Sequence, residues 1–151
     1  MTPPRMIGFT LPVLVTLVFI LGAAGASAEP AAWDQSQVTE LAQKFFDAAK
    51  ALRDADREAP APTELGGSGV ATLFTDDLRV IESEAAHLHN ELEAGKGRAE
   101  TSPVYRRLAE FMQRAHQQAK QLTLSMPVSS ALKTADDALN RLAPYYDGAT
   151  G

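Results

Sequence analysis

The stretch Phe74–Leu92, which reads FTDDLRVIESEAAHLHNEL, carries the clearest structural pattern in this chain. Its apolar residues recur in alternating steps of four and three, the spacing that brings side chains to one face of an α-helix. The members of this stripe are Phe74, Leu78, Ile81, Ala85, Leu88 and Leu92. The intervening residues are mostly polar, so this second helix of the chain is predicted to bury one face. Gly95 is predicted to end it in a left-handed conformation.

A first helix is predicted before this stretch, because apolar residues again recur at helical spacing. The Asp34 carboxylate is expected to cap the free amides at its start, while the side chain of Gln37 reaches back toward the capping residue. The Ala-Pro-Ala-Pro run at residues 59–62 is expected to end it. Residues 59–69 then form the longest linker. The predicted stripe is Val38, Leu41, Phe45, Ala48, Leu52 and Ala55, with Ala42 and Ala49 widening one edge.

Two more helices are predicted after Gly95. Ser102 and Pro103 are expected to open the third helix, with serine as the cap and proline at the first helical position. Between the third and fourth helices, residues 123–130 favour a tight turn over a proline kink. The third stripe is Val104, Leu108, Phe111, Ala115 and Leu122, and the fourth is Val128, Leu132, Ala135, Leu139 and Leu142.

These four stripes predict an all-α domain, since no segment shows sustained strand alternation. Helices of similar length joined by short connections favour antiparallel neighbours. The expected architecture is an antiparallel up-down-up-down four-helix bundle over residues 29–147, followed by a flexible tail at 148–151. The alternative is a kinked three-helix array that completes its core by forming a homodimer.

Residues 1–28 have the composition of an export signal. Arg5 precedes an apolar run, and Ala26-Ser27-Ala28 is a cleavage site with small residues at both required positions. Cleavage would make Glu29 the first residue of a mature protein with no membrane segment. The alternative is an uncleaved anchor, because 18 residues from Ile7 to Ala24 are just long enough to span a bilayer. The expected location is the periplasm or the outside of the cell.

Composition excludes several classes of function. The 151-residue chain contains no cysteine, which rules out disulfides, thiolate metal sites, iron–sulfur clusters and cysteine nucleophiles. Its formal charge is −5, and removal of Arg5 with the signal leaves 13 basic and 19 acidic residues, a charge of −6. Nucleic acid is therefore not an expected partner, because phosphate binding depends on clustered Lys and Arg. The acidic pairs Asp76-Asp77 and Asp136-Asp137 are predicted to lie on solvated outer faces.

The predicted architecture resembles that of periplasmic haem-binding bundles of the cytochrome c′ class and their b-type counterparts. The resemblance is limited to architecture. Covalent haem needs a Cys-x-x-Cys-His motif, and the b-type site needs a Met early in the first helix and a His in the last. This chain has neither set. No cofactor is therefore predicted.

The histidines suggest an alternative function, that of a weak copper- or zinc-binding or carrier protein. Glu84 and His87 form a single Glu-x-x-His pair, whereas di-iron bundles use two such pairs and two further carboxylates. His87 is predicted to face solvent. His89 flanks the stripe on the second helix, where it could meet Met112 or His116 on the third, a set of soft and nitrogen ligands that copper accepts. The main prediction is that these histidines are ordinary surface or boundary residues.

Four aromatic residues lie at the edge of a predicted stripe or near the start of the first helix and the end of the last. Trp33 precedes the first helix, Tyr145 and Tyr146 follow the last, and Phe46 lies at the edge of the first stripe. In an antiparallel four-helix bundle these ends meet, so Trp33 is expected to pack on Tyr145 or Tyr146. The alternative is that the four rings form a surface for a protein partner, since aromatic residues are enriched in interfaces.

The function predicted from these patterns is binding or interaction without catalysis. No Gly-x-Ser-x-Gly or Ser-x-x-Lys motif is present, and hydroxyl residues cluster near turns and caps. No acid, base and nucleophile converge in the predicted helices. The chain is thus expected to be a small exported bundle that is not an enzyme.

Overall fold

A computed structural model describes residues 31–64 and 69–147, and most of these residues are helical. The elements in chain order are α1 (Gln35–Glu58), β1 (Thr63–Glu64), α2 (Val70–Glu93), α3 (Arg98–Ala119), β2 (Leu122–Thr123), α4 (Met126–Asn140) and α5 (Ala143–Tyr146). The all-α prediction is confirmed. The predicted signal at residues 1–28 and the tail at 148–151 lie outside the described residues.

Local capping fixes the ends of α1 and α2 as the sequence predicts. The amide of Gln37 donates to the Asp34 carboxylate at 2.9 Å, and α1 ends just before Pro60. Gly95 has a φ of +83°, a left-handed conformation that side chains disfavour. The amide of Gly95 then donates to the Leu92 carbonyl, which satisfies a free acceptor at the end of α2.

The predicted start of the third helix is wrong by one turn. α3 begins at Arg98, so Pro103 lies inside the helix rather than at its first position. The Gly97 amide donates to the Glu100 carboxylate at 3.0 Å, which caps the helix earlier than Ser102. The Ser102 hydroxyl instead donates to the carbonyl of Arg98 at 2.7 Å. Pro103 removes one backbone donor in the second turn of α3.

Four helices pack against one another around one core. α2 lies against both α1 and α3, and α1 lies against α4. All six stripe residues of α2 and all five of the fourth stripe are buried, as predicted. The other two stripes are rotated slightly. Leu41 and Phe111 are partly exposed, and Ala42, Ala49 and Met112 are buried.

Short strands connect the loops at one end of the helices. β1 pairs antiparallel with β2, with Thr63 opposite Thr123. This ladder joins the α1–α2 connection to the α3–α4 connection. α3 ends at Ala119 and α4 begins at Met126, so the predicted turn, rather than a proline kink, separates them.

Helix composition also bears on membrane association. Within residues 31–64 and 69–147, no helix combines the length and apolar character needed to cross a bilayer. The buried apolar residues of the four helices face one another instead.

Candidate functional site

Three aromatic rings pack together where the chain enters α1 and leaves α5. Tyr146 stacks on Tyr105 with ring centroids 4.2 Å apart and meets Trp33 edge-on at 5.6 Å. The Tyr146 and Thr101 hydroxyls are 2.9 Å apart, and the Arg98 guanidinium lies 5.5 Å from the centre of the Trp33 ring. We call Trp33, Tyr105 and Tyr146 the aromatic cluster. It packs one end of the core.

Burial changes the acidity of two tyrosines in this cluster. Burial raises the pKa of Tyr105 to about 12, with a smaller effect from the nearby Asp147 carboxylate. Burial also raises the pKa of Tyr146, against the opposing effect of its hydrogen bond with Thr101. Both hydroxyls therefore remain protonated far above neutral pH.

The four residues predicted as a partner surface have different surroundings. Tyr146 is 5% exposed and belongs to the core, and its contact with Trp33 is the packing that the sequence predicted in preference to a partner surface. Trp33, Phe46 and Tyr145 are partly buried against the core. The aromatic cluster is therefore mostly covered, since Tyr105 and Tyr146 are buried and Trp33 is partly buried.

Two of the three histidines lie on opposite flanks of α2. His87 is exposed, with its ring nitrogens 3.9 Å from a Glu84 oxygen and 3.4 Å from a Glu91 oxygen. His89 has a side chain only 12% exposed, and its Nε2 is 3.4 Å from Glu93. His89 lines a polar groove beside Thr39 of α1, so it faces α1 rather than α3.

His116 lies on the other side of the helical assembly, between α3 and α4. Its Nε2 is 3.1 Å from Oδ1 of Asp136. Met112, the third residue of the predicted metal alternative, is buried in the core. The structure therefore places His89, His116 and Met112 in three separate environments. Within residues 31–64 and 69–147, no group of three or more His, Asp or Glu side chains is arranged to hold a metal ion.

The prediction that Asp77 lies on a solvated outer face is wrong. Asp77 is buried between α2 and α3, where it accepts hydrogen bonds from Arg114 at 2.8 Å and from Gln118 at 2.9 Å. Arg107 of α3 also approaches Glu84 of α2 at 3.2 Å. These polar contacts close the α2–α3 seam.

The α3–α4 side is more open, and it forms the candidate site. The α3 backbone lies close to α2 but does not approach α4 in the same way. A shallow, open depression of about 470 Å³ lies on this side, and we call it the α3–α4 groove. Its lining residues are His116, Ala119, Lys120, Leu122, Leu124, Ser129, Leu132, Lys133 and Asp136.

The groove combines an apolar floor with a charged rim. Leu122 and Leu132 are nearly buried beneath it, and Leu124 is partly exposed. Lys120 and Lys133 are exposed at the rim. An apolar hollow with a few polar groups around it is the usual form of a binding site.

No protein-family model, curated protein or solved structure matches this chain. The function is therefore argued from the chemistry of the groove.

Ser129, His116 and Asp136 lie in the same groove, a grouping that the sequence analysis missed. The Ser129 hydroxyl donates to the Met126 carbonyl at 3.0 Å, so it is engaged by the backbone rather than by His116. A serine nucleophile requires a hydrogen bond to its base. No signal in the sequence could have placed His116 beside Asp136, because they lie on different helices.

Proposed function

We propose that this chain is an exported four-helix bundle that binds a partner and catalyses no reaction. The observation that carries the proposal is the α3–α4 groove, which offers an apolar floor and a charged rim between two helices. The Ser129 hydroxyl in the groove donates to the Met126 carbonyl at 3.0 Å, and His116 Nε2 lies 3.1 Å from Asp136 Oδ1. Such a site supports binding better than bond cleavage.

The proposed bundle has up-down-up-down topology. Gln35 at the start of α1 donates to the Leu92 carbonyl at the end of α2, at 2.8 Å. Thr75, near the start of α2, donates to Asp56, near the end of α1, at 3.0 Å. The β1–β2 ladder, which joins the two loops that follow α1 and α3, supports the same order.

Export is proposed from residues 1–28 of the sequence. Arg5, the apolar run after it and the Ala26-Ser27-Ala28 site support cleavage and release into the periplasm or the medium. Mass spectrometry of the protein recovered from the cell envelope should identify Glu29 as the first residue. Recovery of intact chain in the membrane fraction would contradict this.

Binding through the groove can be tested by photo-crosslinking in the producing cell. A photoreactive amino acid replaces Leu124, which lines the groove, and Lys50, which is exposed on α1, serves as the control position. The expected result is a discrete adduct from position 124 that is absent from position 50. The adduct should disappear when Ser129→Trp fills the groove. Equal adducts from both positions, or an adduct that persists in the filled groove, would refute the assignment.

Weak copper or zinc binding is the second candidate function. The observation that favours it is the 3.1 Å separation of His116 Nε2 and Asp136 Oδ1. Two ligands of one tetrahedral zinc ion lie at a similar separation, on the order of 3.3 Å for metal–ligand bonds of about 2 Å. The groove would have to obtain its remaining ligands from the partner or from water.

A further inference from the structure

Two methionines of the described domain have opposite surroundings. The chain contains four methionines and no cysteine, and Met112 and Met126 are the two that lie within residues 31–64 and 69–147. Met112 is 2% exposed and packs in the core, whereas Met126 is 81% exposed. Methionine thioethers are therefore the oxidisable sulfur groups of this protein, and the described part of the fold leaves one of these side chains open to solvent.

Met126 lies at the border of the α3–α4 groove. It is the first residue of α4, and its carbonyl accepts a hydrogen bond from the Ser129 hydroxyl at 3.0 Å. Ser129 lines the groove, and so does Leu124, two residues before Met126. The backbone of Met126 is thus held next to the groove, while its side chain extends into solvent.

We propose that Met126 is a site of reversible oxidation, at which the thioether takes up one oxygen atom from a peroxide and becomes a sulfoxide. A lone pair of the sulfur attacks one oxygen of hydrogen peroxide, and the O–O bond breaks. The other oxygen takes up the proton of the transferred oxygen and leaves as water. Sulfur loses two electrons and peroxide gains them. A methionine sulfoxide reductase reverses the change, with a thiol as the reductant and water as the product.

Burial protects Met112 from the same reaction. A peroxide must reach the sulfur atom, so at Met112 it reacts only when the core opens, whereas at Met126 it reacts with the folded protein. The exposed fractions of 81% and 2% imply that Met126 is oxidised at least about tenfold faster. The same exposure admits the reductase to the sulfoxide.

The fold tolerates a sulfoxide at Met126 but not at Met112. A sulfoxide is more polar than a thioether, and in the core it would be a buried polar group that has lost its water. At Met126 the new oxygen remains solvated. Oxidation of Met126 therefore replaces an apolar side chain at the border of the groove with a polar one and leaves the helices in place.

The experiment follows both methionines in the full 151-residue chain, kept in solution by a mild detergent and treated with hydrogen peroxide. Trypsin separates them, because cleavage after lysine and arginine gives a peptide of residues 108–114 with Met112 and a peptide of residues 121–133 with Met126. Mass spectrometry measures the gain of one oxygen in each peptide over time. In the folded chain the 121–133 peptide should be oxidised at least about tenfold faster, and in urea the two rates should be similar.

Leucine variants are the matched controls, since leucine has a similar volume to methionine and no sulfur. Met126→Leu should lose the fast oxidation and keep its helical circular dichroism signal. Met112→Leu should leave the fast oxidation unchanged. Wild type oxidised briefly, so that only the 121–133 peptide has gained oxygen, should keep its melting temperature to within about 2 °C.

Reversal is tested on the same briefly oxidised sample. A thiol and the two reductases that act on the two sulfoxide epimers should return the 121–133 peptide to its original mass without unfolding the chain. Equal rates for the two peptides in the folded chain would overturn the inference. Loss of the helices on oxidation of Met126 alone, or a sulfoxide that the reductases repair only in urea, would overturn it as well.

Discussion

Truncation of Tyr146 provides a quantitative test of the aromatic cluster. Tyr146→Ala removes a ring that is 5% exposed and stacks on Tyr105 at 4.2 Å. It also removes the edge-on contact with Trp33 at 5.6 Å. Replacing a buried aromatic residue with alanine typically lowers the free energy of unfolding by about 3–5 kcal/mol. The same loss is expected here, because no neighbouring side chain is free to fill the space that the ring occupies between two others.

Tyr146→Phe isolates the contribution of the hydroxyl. The Thr101 hydroxyl also contacts the Gly97 carbonyl at 2.9 Å, so it keeps a partner when the Tyr146 hydroxyl is removed. The free energy of unfolding should therefore fall by only about 0.5–1.5 kcal/mol. The difference between the two variants measures the packing of the ring.

Urea unfolding of residues 29–151 is the appropriate assay. Trp33 is the single tryptophan of the chain and touches Tyr146, so its fluorescence reports on the cluster while circular dichroism reports on the helices. Tyr145→Ala is the matched control, because Tyr145 is partly buried next to Tyr146 but lies outside both ring contacts. If Tyr145→Ala were as destabilising as Tyr146→Ala, or if Trp33 fluorescence did not respond to Tyr146→Ala, the reasoning would be refuted.

Three further predictions follow from the core, the tyrosines and the histidines. Leu88→Ala should lower the free energy of unfolding by about 2–5 kcal/mol in the same urea assay, and a change below about 0.5 kcal/mol would mean that the residue is not in the core. Because burial raises the pKa of Tyr105 to about 12 and also raises that of Tyr146, tyrosines of the unfolded chain ionise first, near the ordinary value of 10.0. The contribution of these two tyrosines to the free energy of unfolding should therefore be complete below about pH 10 and should decrease as the pH rises toward about 12. An unchanged urea midpoint across that interval would contradict this. Micromolar copper or zinc should leave the melting temperature unchanged, because His89 faces α1 and His116 has, among the described residues, only Asp136 beside it as a second ligand, and a rise of several degrees that is lost in His116→Ala would establish the metal site instead.

Helical periodicity predicted the inward faces of α2 and α4 well, because their stripes contain large residues separated by polar ones. It was less accurate for α1 and α3, where two adjacent apolar residues compete for one inward position. Phe111 and Met112 are such a pair, and the flexible Met112 side chain occupies the core while Phe111 lies partly exposed beneath the guanidinium of Arg114. Spacing alone cannot show which of two adjacent apolar residues enters the core.

The candidate site was harder to predict, because it depends on which helices become neighbours. An apolar stripe defines which side of a helix faces the core, but the two flanks of the stripe remain equivalent until the order of helices around the bundle is known. The alternative metal site would have placed His89 beside α3, and it faces α1. His116 meets Asp136 for the same reason, because α4 lies on that flank of α3. Asp77 is buried because α3 supplies Arg114 and Gln118 to cover it.

The hydrogen bond between Ala31 and Pro144 joins the two ends of the described domain, so its first and last residues are close together in space. Joining these ends by a short peptide would cost little conformational entropy, because they already meet. New termini could then be introduced in one of the connections between helices. A circular permutant opened at Gly95, in the connection between α2 and α3, would retain the same helix contacts. For the same reason the bundle is suited to insertion into a surface loop of another protein, whose two flanking strands could stay close together.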